Sequence, residues 1–296
     1  MLYRSVWKPA VEYTLAQSFL STKQLEKIQR QNFSQIFAKC GYNRKTSKAI
    51  MHGPIDMAGG GFTPLRFTAG SGYVIHFMKN WRTGNKIIGK SMRIVYAWYQ
   101  SHAGTTFPLL EQPQIMLPYL KGTVIPAIRS YLCEINAIIR LDNTFIQPML
   151  RVNDCSIMDM AILINTMTGT QLKRVNTVRE WFNVTYVSEI STINGRPLIP
   201  GIDTGILIHQ RYHPTKRAFK QSRPGRRSFD LWQKVLSKFT RNQSMILATP
   251  LREWTKDHST NGIWTFYYES DNKVFKYVVP VGRCRPRSPN RPMRQV

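Results

Sequence analysis

Through the first two thirds of the chain, apolar residues recur at helical spacing. Ser21 and Gln24 form the S-x-x-Q pattern of a capping box. Beyond them Leu25, Ile28, Asn32 and Ile36 share one face, with Phe33, Phe37 and Cys40 beside it. Lys23, Lys27, Arg30 and Lys39 belong to the other face, and Gly41 is placed to end the helix in a left-handed cap. This is an amphipathic helix with a basic outer surface. Gly41 to Pro64 reads as a loop containing Lys45, Lys48, His52-Gly53-Pro54 and the triplet Gly59-Gly60-Gly61. Helical spacing resumes at about Ala69, with Val74, Phe77, Met78 and Trp81 turned inward. It resumes again after Asn85, with Ile88, Met92, Val95, Tyr96 and Tyr99 on one side, and closes at Gly104. Pro108, Pro113 and Pro118 mark an extended connection. A further helix is predicted over Ile125 to Ile139, with Ile128, Leu132, Ile135 and Ile139 in step. Asp154 fits the N-cap of a helix over Ser156 to Thr166, and a last helix of this half runs from about Thr170 to Phe182.

The pattern then changes. Val184 to Ile190 alternates weakly, and Asn194-Gly195 is the strongest short-range hairpin signal in the chain. Arg211 to Arg227 holds many cations and no acid, punctuated by Pro214, Pro224 and Gly225. A short helix is predicted over Phe229 to Phe239. Ile263 to Tyr268 and Val274 to Val279 read as a hairpin around Ser270-Asp271-Asn272. The expected architecture is mainly α, a helical bundle in the N-terminal half with a small β-hairpin near the C-terminus. Its divisions fall at 1–183 (helical unit), 184–210 (hairpin and connection), 211–228 (basic linker or arm), 229–281 (small α+β module) and 282–296 (a disordered basic tail).

Composition sharpens the functional question. The 296 residues carry 42 Lys and Arg against 16 Asp and Glu, a formal charge of +26. Such a charge repels itself unless an acidic partner screens it, and nucleic acid is the first candidate for that partner. Hydrophobic residues at 42% suffice for a packed core, which excludes a wholly disordered chain. No apolar run approaches the ~20 residues of a spanning helix, so no membrane partner is expected. Met1 to Leu20 contains Arg4, Lys8, Pro9 and Glu12 and does not read as a secretory signal. Cys40, Cys133, Cys155 and Cys284 are far apart and never form C-x-x-C, as expected of buried or incidental thiols in a reducing compartment, cytoplasmic or nuclear.

Few carboxylates remain for catalysis. Metal-dependent phosphoryl transfer needs convergent carboxylates, and the chain has neither an Asp-Asp pair nor an aromatic-x-Asp-Asp run. Asp154 and Asp159 are five apart and would face different ways on a helix, which assigns Asp154 to a cap and Asp159 to solvent or a neighbouring Arg. His209 and His213 have the four-residue spacing of zinc ligands, but Pro214 follows and neither Glu nor Cys completes the set, so a basic loop is the reading. The glycine triplet can cradle a phosphate through backbone N–H groups, but a tight turn permitting close packing is its expected use. Cations mixed with aromatics are the stronger signal. Trp81, Arg82 and Lys86, then Tyr96, Trp98 and Tyr99, then Tyr212, Phe219 and Phe229 fit phosphate neutralisation with base stacking.

The stretch LEKIQRQNFSQIFAKCGYNRKTSKAIMHGPIDMAGGGFTPL, Leu25 to Leu65, resembles the segment that follows the catalytic palm in reverse transcriptases of non-LTR retroelements, where the thumb begins. YAWYQSHAGTTFPLLEQP, IRSYLCEINAIIRLD, VTYVSEISTINGRPLIP and Trp264 to Tyr268 are also similar to polyproteins of such elements, and the resemblance runs from about Ala16 to Tyr268. The family pattern Gly-Gly-apolar-Gly is here Gly59-Gly60-Gly61-Phe62. The resemblance implies a C-terminal, post-catalytic region whose polymerase centre lies upstream. It implies thumb-like holding of an RNA or RNA–DNA duplex, and a partner in an upstream polymerase domain. No cofactor is expected in this chain, because Mg²⁺ belongs with the polymerase centre. The residues expected to bind nucleic acid are Arg66, Lys79, Arg82 and Lys86 in the helical half and Arg211, Lys216, Arg217, Lys220, Arg223, Arg226 and Arg227 in the arm. A basic protein that packages RNA and a stand-alone nuclease are the competing expectations.

Overall fold

A computed structural model describes residues 8–18, 20–43, 45–83, 86–120, 122, 124–149, 151–164, 166–192, 194–205, 222–241 and 244–252, and the backbone of 265–269 and 274–278. The protein is mainly α. Its helices are α1 (Lys8–Ser18), α2 (Thr22–Lys39), α3 (Lys48–His52), α4 (Leu65–Arg82), α5 (Ile87–Ala103), α6 (Val124–Glu134), α7 (Ile157–Leu163), α8 (Gly169–Phe182) and α9 (Arg226–Leu236). Strands β1 (Thr265–Glu269) and β2 (Val274–Val278) pair antiparallel, with Tyr267 opposite Lys276. Two compact units alternate along the sequence. The first holds residues 1–97, 109–116 and 121–142, and the second holds 98–108, 117–120 and 143–296.

In the first unit α4 is the central helix, packed by α1, α2 and α6. Its buried stripe is Leu65, Ala69, Tyr73, Phe77 and Trp81. Gly70 lies under the Tyr131 ring of α6, where any β-carbon would collide with that ring. The helix begins at Leu65, four residues before the periodicity suggests, because a distant side chain supplies its cap: Leu65 N–H donates to Gln29 Oε1 at 2.8 Å.

The capping box of α2 is present. Ser21 N–H donates to Gln24 Oε1 at 2.9 Å and Gln24 N–H to Ser21 Oγ at 3.4 Å. Ser21→Ala is expected to cost about 1 kcal/mol, readable as a lower midpoint in urea unfolding. Gly41 takes φ +81° after the last turn, as its position suggests.

Gly41 to Pro64 contains more structure than a loop. Ser47 caps the five-residue α3, and Ile55–Met57 forms a 3-10 turn, both too short to leave a periodic signal. Two further differences concern faces and lengths. On α5, Ile88 and Val95 are exposed while Gly89, Tyr96, Tyr99, Gln100 and Ala103 are buried. Tyr96 is held by aromatic contact with Phe77 and Trp81, and this turns the neighbouring stripe outward. Helix α6 stops at Glu134 instead of Ile139, because Asn136 adopts φ +50° and Ala137 N–H returns to Leu132 O.

The second unit is built on α7, α8 and α9, which pack on one another. The N-cap of α7 is Ser156, whose Oγ accepts from Met158 and Asp159 N–H, and not Asp154. Thr168 and Gln171 form a second capping box at the start of α8. Phe182 packs on Phe229 and Trp232, and the indole N–H of Trp232 donates to Ile202 O at 3.0 Å. Asn194-Gly195 makes a tight turn, with Thr192 N–H bonded to Pro197 O, Gly195 at φ +69° and the bridge Ser191–Leu198 beside it. Within the weakly alternating stretch Val184 to Ile190, Val187–Ile190 is a 3-10 turn. The turn Ser270-Asp271-Asn272, the tail 282–296, Cys284 and the pair His209 and His213 lie outside the described residues. Cys40 and Cys133 are exposed free thiols, not buried ones.

Candidate nucleic-acid interface

The end of α4 and the start of α5 bring four cations close in sequence and leave them in solvent. Lys79 and Arg82 occupy the last turn of α4, and Lys86 and Lys90 follow across the Thr83 cap; all four are exposed. None makes an ion pair among the described residues. Buried aromatics fix the backbone beneath them. Trp81 donates its indole N–H to Asp142 Oδ1 at 2.8 Å, and Arg93 donates to Asp142 Oδ2 at 3.1 Å while lying 4.7 Å over the Trp81 ring. The Trp81 and Arg93 hydrogen bonds hold the Asp142 carboxyl below its usual pKa, so this acid is occupied by its own partners.

Arg66 stands apart from this group. It lies at the other end of α4, about 24 Å away along the helix axis. It pairs with Glu134 at 2.9 Å and lies 5.0 Å over the Phe67 ring. Its charge is therefore largely met within the unit.

Of the arm, Arg211, Lys216, Arg217 and Lys220 lie outside the described residues. Arg223 donates to Thr204 O at 2.6 Å and lies 5.3 Å over the Phe229 ring, both within the second unit. Arg226 and Arg227 form the first turn of α9, exposed and without an ion pair among the described residues. Helix N-termini disfavour cations, since their free N–H groups already carry partial positive charge. Gly225 supplies no side-chain cap there. The start of α9 thus presents two guanidinium groups at a helix N-terminus, where Ser228 N–H donates to Gly225 O at 2.9 Å and the dipole adds to their attraction for an oxyanion.

The glycine triplet makes no phosphate cradle. Gly59 N–H donates to Pro54 O, Gly60 N–H to Ile50 O and Gly61 N–H to Gly53 O, at 2.8, 2.8 and 2.9 Å. The loop folds back on α3 and delivers Phe62 to a core with Phe33 and Met51, flanked by Ile36, Phe37 and Tyr42. His52 Nδ1 lies 2.5 Å from Phe62 O and helps to close the turn.

Most aromatics of the mixed clusters are core residues. Trp81, Tyr96, Tyr99 and Phe229 are buried, and Trp98 alone of the described ones is open to solvent, stacked parallel on His102 at 5.0 Å. Tyr212 and Phe219 lie outside the described residues.

Sequence reasoning missed the arginines that never reach the surface. Arg129 donates to Leu109 O and to Ile115 O in the first unit. In the second unit Arg151 donates to Arg252 O at 2.8 Å and Leu251 O at 3.2 Å. Arg179 is 4% exposed and donates to Asn176 Oδ1, Val184 O, Ser101 O and His102 O at 2.7 to 3.1 Å. Its burial pushes the guanidinium pKa down, opposed by Glu180, Tyr119 and Glu189. The one advance signal is position: Val175, Val178 and Phe182 place Arg179 on the apolar stripe of α8.

Three acids of this unit serve as backbone acceptors. Asp154 Oδ1 accepts from Cys155 and Ser188 N–H, and Glu189 Oε2 accepts from Thr185 and Tyr186 N–H. Asp159 Oδ2 accepts from Thr106 N–H and hydroxyl, so it is neither a solvated residue nor an Arg partner. Burial raises the pKa of all three carboxyls. Burial, with Asp154 and Asp159 nearby, also pushes the Cys155 thiol up to about 11, which removes it as a nucleophile at neutral pH. Among the described residues no group of three or more His, Cys, Asp or Glu could hold a metal ion. No described helix is long and apolar enough to cross a membrane. Compared with known proteins, the chain matches no family model, no curated protein and no solved structure.

Proposed function

We propose that this protein holds an RNA or RNA–DNA duplex through phosphate contacts, independently of sequence. In this reading it corresponds to the thumb and downstream region of a non-LTR retroelement reverse transcriptase, working beside an upstream polymerase domain in the cytoplasm or nucleus. The observation that carries the reading is the set of exposed cations at Lys79, Arg82 and Lys86, none in an ion pair among the described residues, reinforced by Arg226 and Arg227 in the first turn of α9. Cations without acidic partners raise the energy of the free protein and lower it when phosphates release their counterions on binding. Arg66 and Arg223 contribute less, since each already has a partner. Lys79, Arg82 and Lys86 are the residues to neutralise first.

The test replaces all three by Gln and follows duplex binding against salt. The slope of log K against log salt is expected to flatten by about one unit per lost contact, equally for unrelated sequences. An unchanged slope removes these residues from the interface. Cleavage of the duplex by purified protein with Mg²⁺ would favour a nuclease instead, and assembly of particles on RNA without duplex preference would favour packaging.

A further inference from the structure

Helix α2 carries a second set of cations that the reading above does not use. Lys23, Lys27 and Arg30 are exposed and make no ion pair among the described residues. At 100° per residue they fall within an arc of about 60°, which Ser34 shares. The opposite side of the helix is the anchored one. Leu25 is buried there, Ile36 packs on the Met51–Phe62 core, and Gln29 accepts the Leu65 N–H that starts α4, while Phe33 and Phe37 reach the same core from the flank beside Arg30. The stripe is thus carried on a helix fixed along its length, with its N-terminus held by the Ser21 capping box. From Lys23 to Arg30 the helix rises about 10 Å, the axial rise over which one strand of a duplex carries about three phosphates. Glu26 is the acid nearest this arc, and it pairs with none of the three.

We infer that Lys23, Lys27 and Arg30 form a second phosphate-binding ridge that follows one strand of a nucleic-acid backbone. It is separate from the Lys79–Lys86 cluster, because α2 is tied to the Leu65 end of α4 and the cluster sits at the Arg82 end, about 25 Å along the axis. The inference rests on the proposed nucleic-acid function and adds a location to it. Three lysine or arginine contacts to one strand give charge neutralisation without base readout, so this ridge adds affinity and salt sensitivity but no sequence preference.

The test uses the full chain and a fluorescently labelled 20-base-pair RNA–DNA duplex, with anisotropy read across a salt series. Lys23→Gln, Lys27→Gln and Arg30→Gln together are expected to reduce the salt slope by two to three units. Ser34→Lys, which adds a cation to the same arc, is expected to steepen it by about one. Steep binding by the wild type with both variants unchanged would overturn the ridge while leaving the proposed function standing. A wild type that does not bind the duplex would overturn both.

Discussion

Arg179→Leu is expected to destabilise the second unit by on the order of 3 kcal/mol or more, the cost of stranding several buried acceptors at once. Leucine fills part of the volume and leaves Val184 O, Ser101 O and Asn176 Oδ1 without their shared donor, while His102 O keeps only the Asn176 amide at 3.1 Å. No water replaces it at a position 4% exposed without opening the packing. Gly104 belongs to the same arrangement: it adopts φ +65°, and an added β-carbon would approach the guanidinium to 2.7 Å. Arg179→Lys should recover little, because one ammonium cannot reproduce a planar fork reaching carbonyls on both sides. Urea unfolding followed by tryptophan fluorescence reads both variants. An unchanged midpoint for Arg179→Leu would mean that these carbonyls find other donors.

Gly59→Ala is expected to cost about 3 kcal/mol, the upper end of the range for overpacking. A β-carbon at Gly59 would fall inside contact distance of the Gly53 carbonyl carbon and oxygen, which are backbone and cannot swing away. Gly60 is nearly as restricted, with Met51 O at 2.7 Å from the position of an added β-carbon. Opening the loop would withdraw Phe62 from Phe33 and Phe37, so the loss should spread into α2. Amide exchange at Gly60 and Phe62, whose N–H groups bond Ile50 O and Met51 O, should accelerate along with global unfolding. A variant with wild-type stability would show that the loop can close in a second way.

Long helices with local signals are the ones that could be read from sequence. The capping box of Ser21 with Gln24 is read where short-range hydrogen bonds decide the outcome, that of Thr168 with Gln171 is not, and α2 and α8 have nearly the expected bounds. Elements set from a distance are the ones that shifted. The start of α4 depends on Gln29, 36 residues earlier, and the inner face of α5 depends on aromatics from α4. Asp154 resembles a cap by position, but Ser156 takes that role and leaves the carboxylate to bond Ser188 N–H. The candidate interface was legible as charge and only partly as geometry. A count of Lys and Arg cannot separate Lys79, free in solvent, from Arg129 and Arg179, which bond carbonyls in the interior. That distinction depends on which side of a helix meets the core.

The central claim is that unpaired surface cations bind the phosphate backbone of a duplex. Its most direct test is a salt-dependent binding titration of the wild-type protein against matched RNA–DNA duplex, double-stranded DNA and single-stranded RNA, with and without Mg²⁺. The account predicts affinity that falls steeply with salt, a slope of several units, a preference for the RNA–DNA duplex and nucleic acid left intact. Weak binding that responds neither to salt nor to the form of the nucleic acid would contradict it.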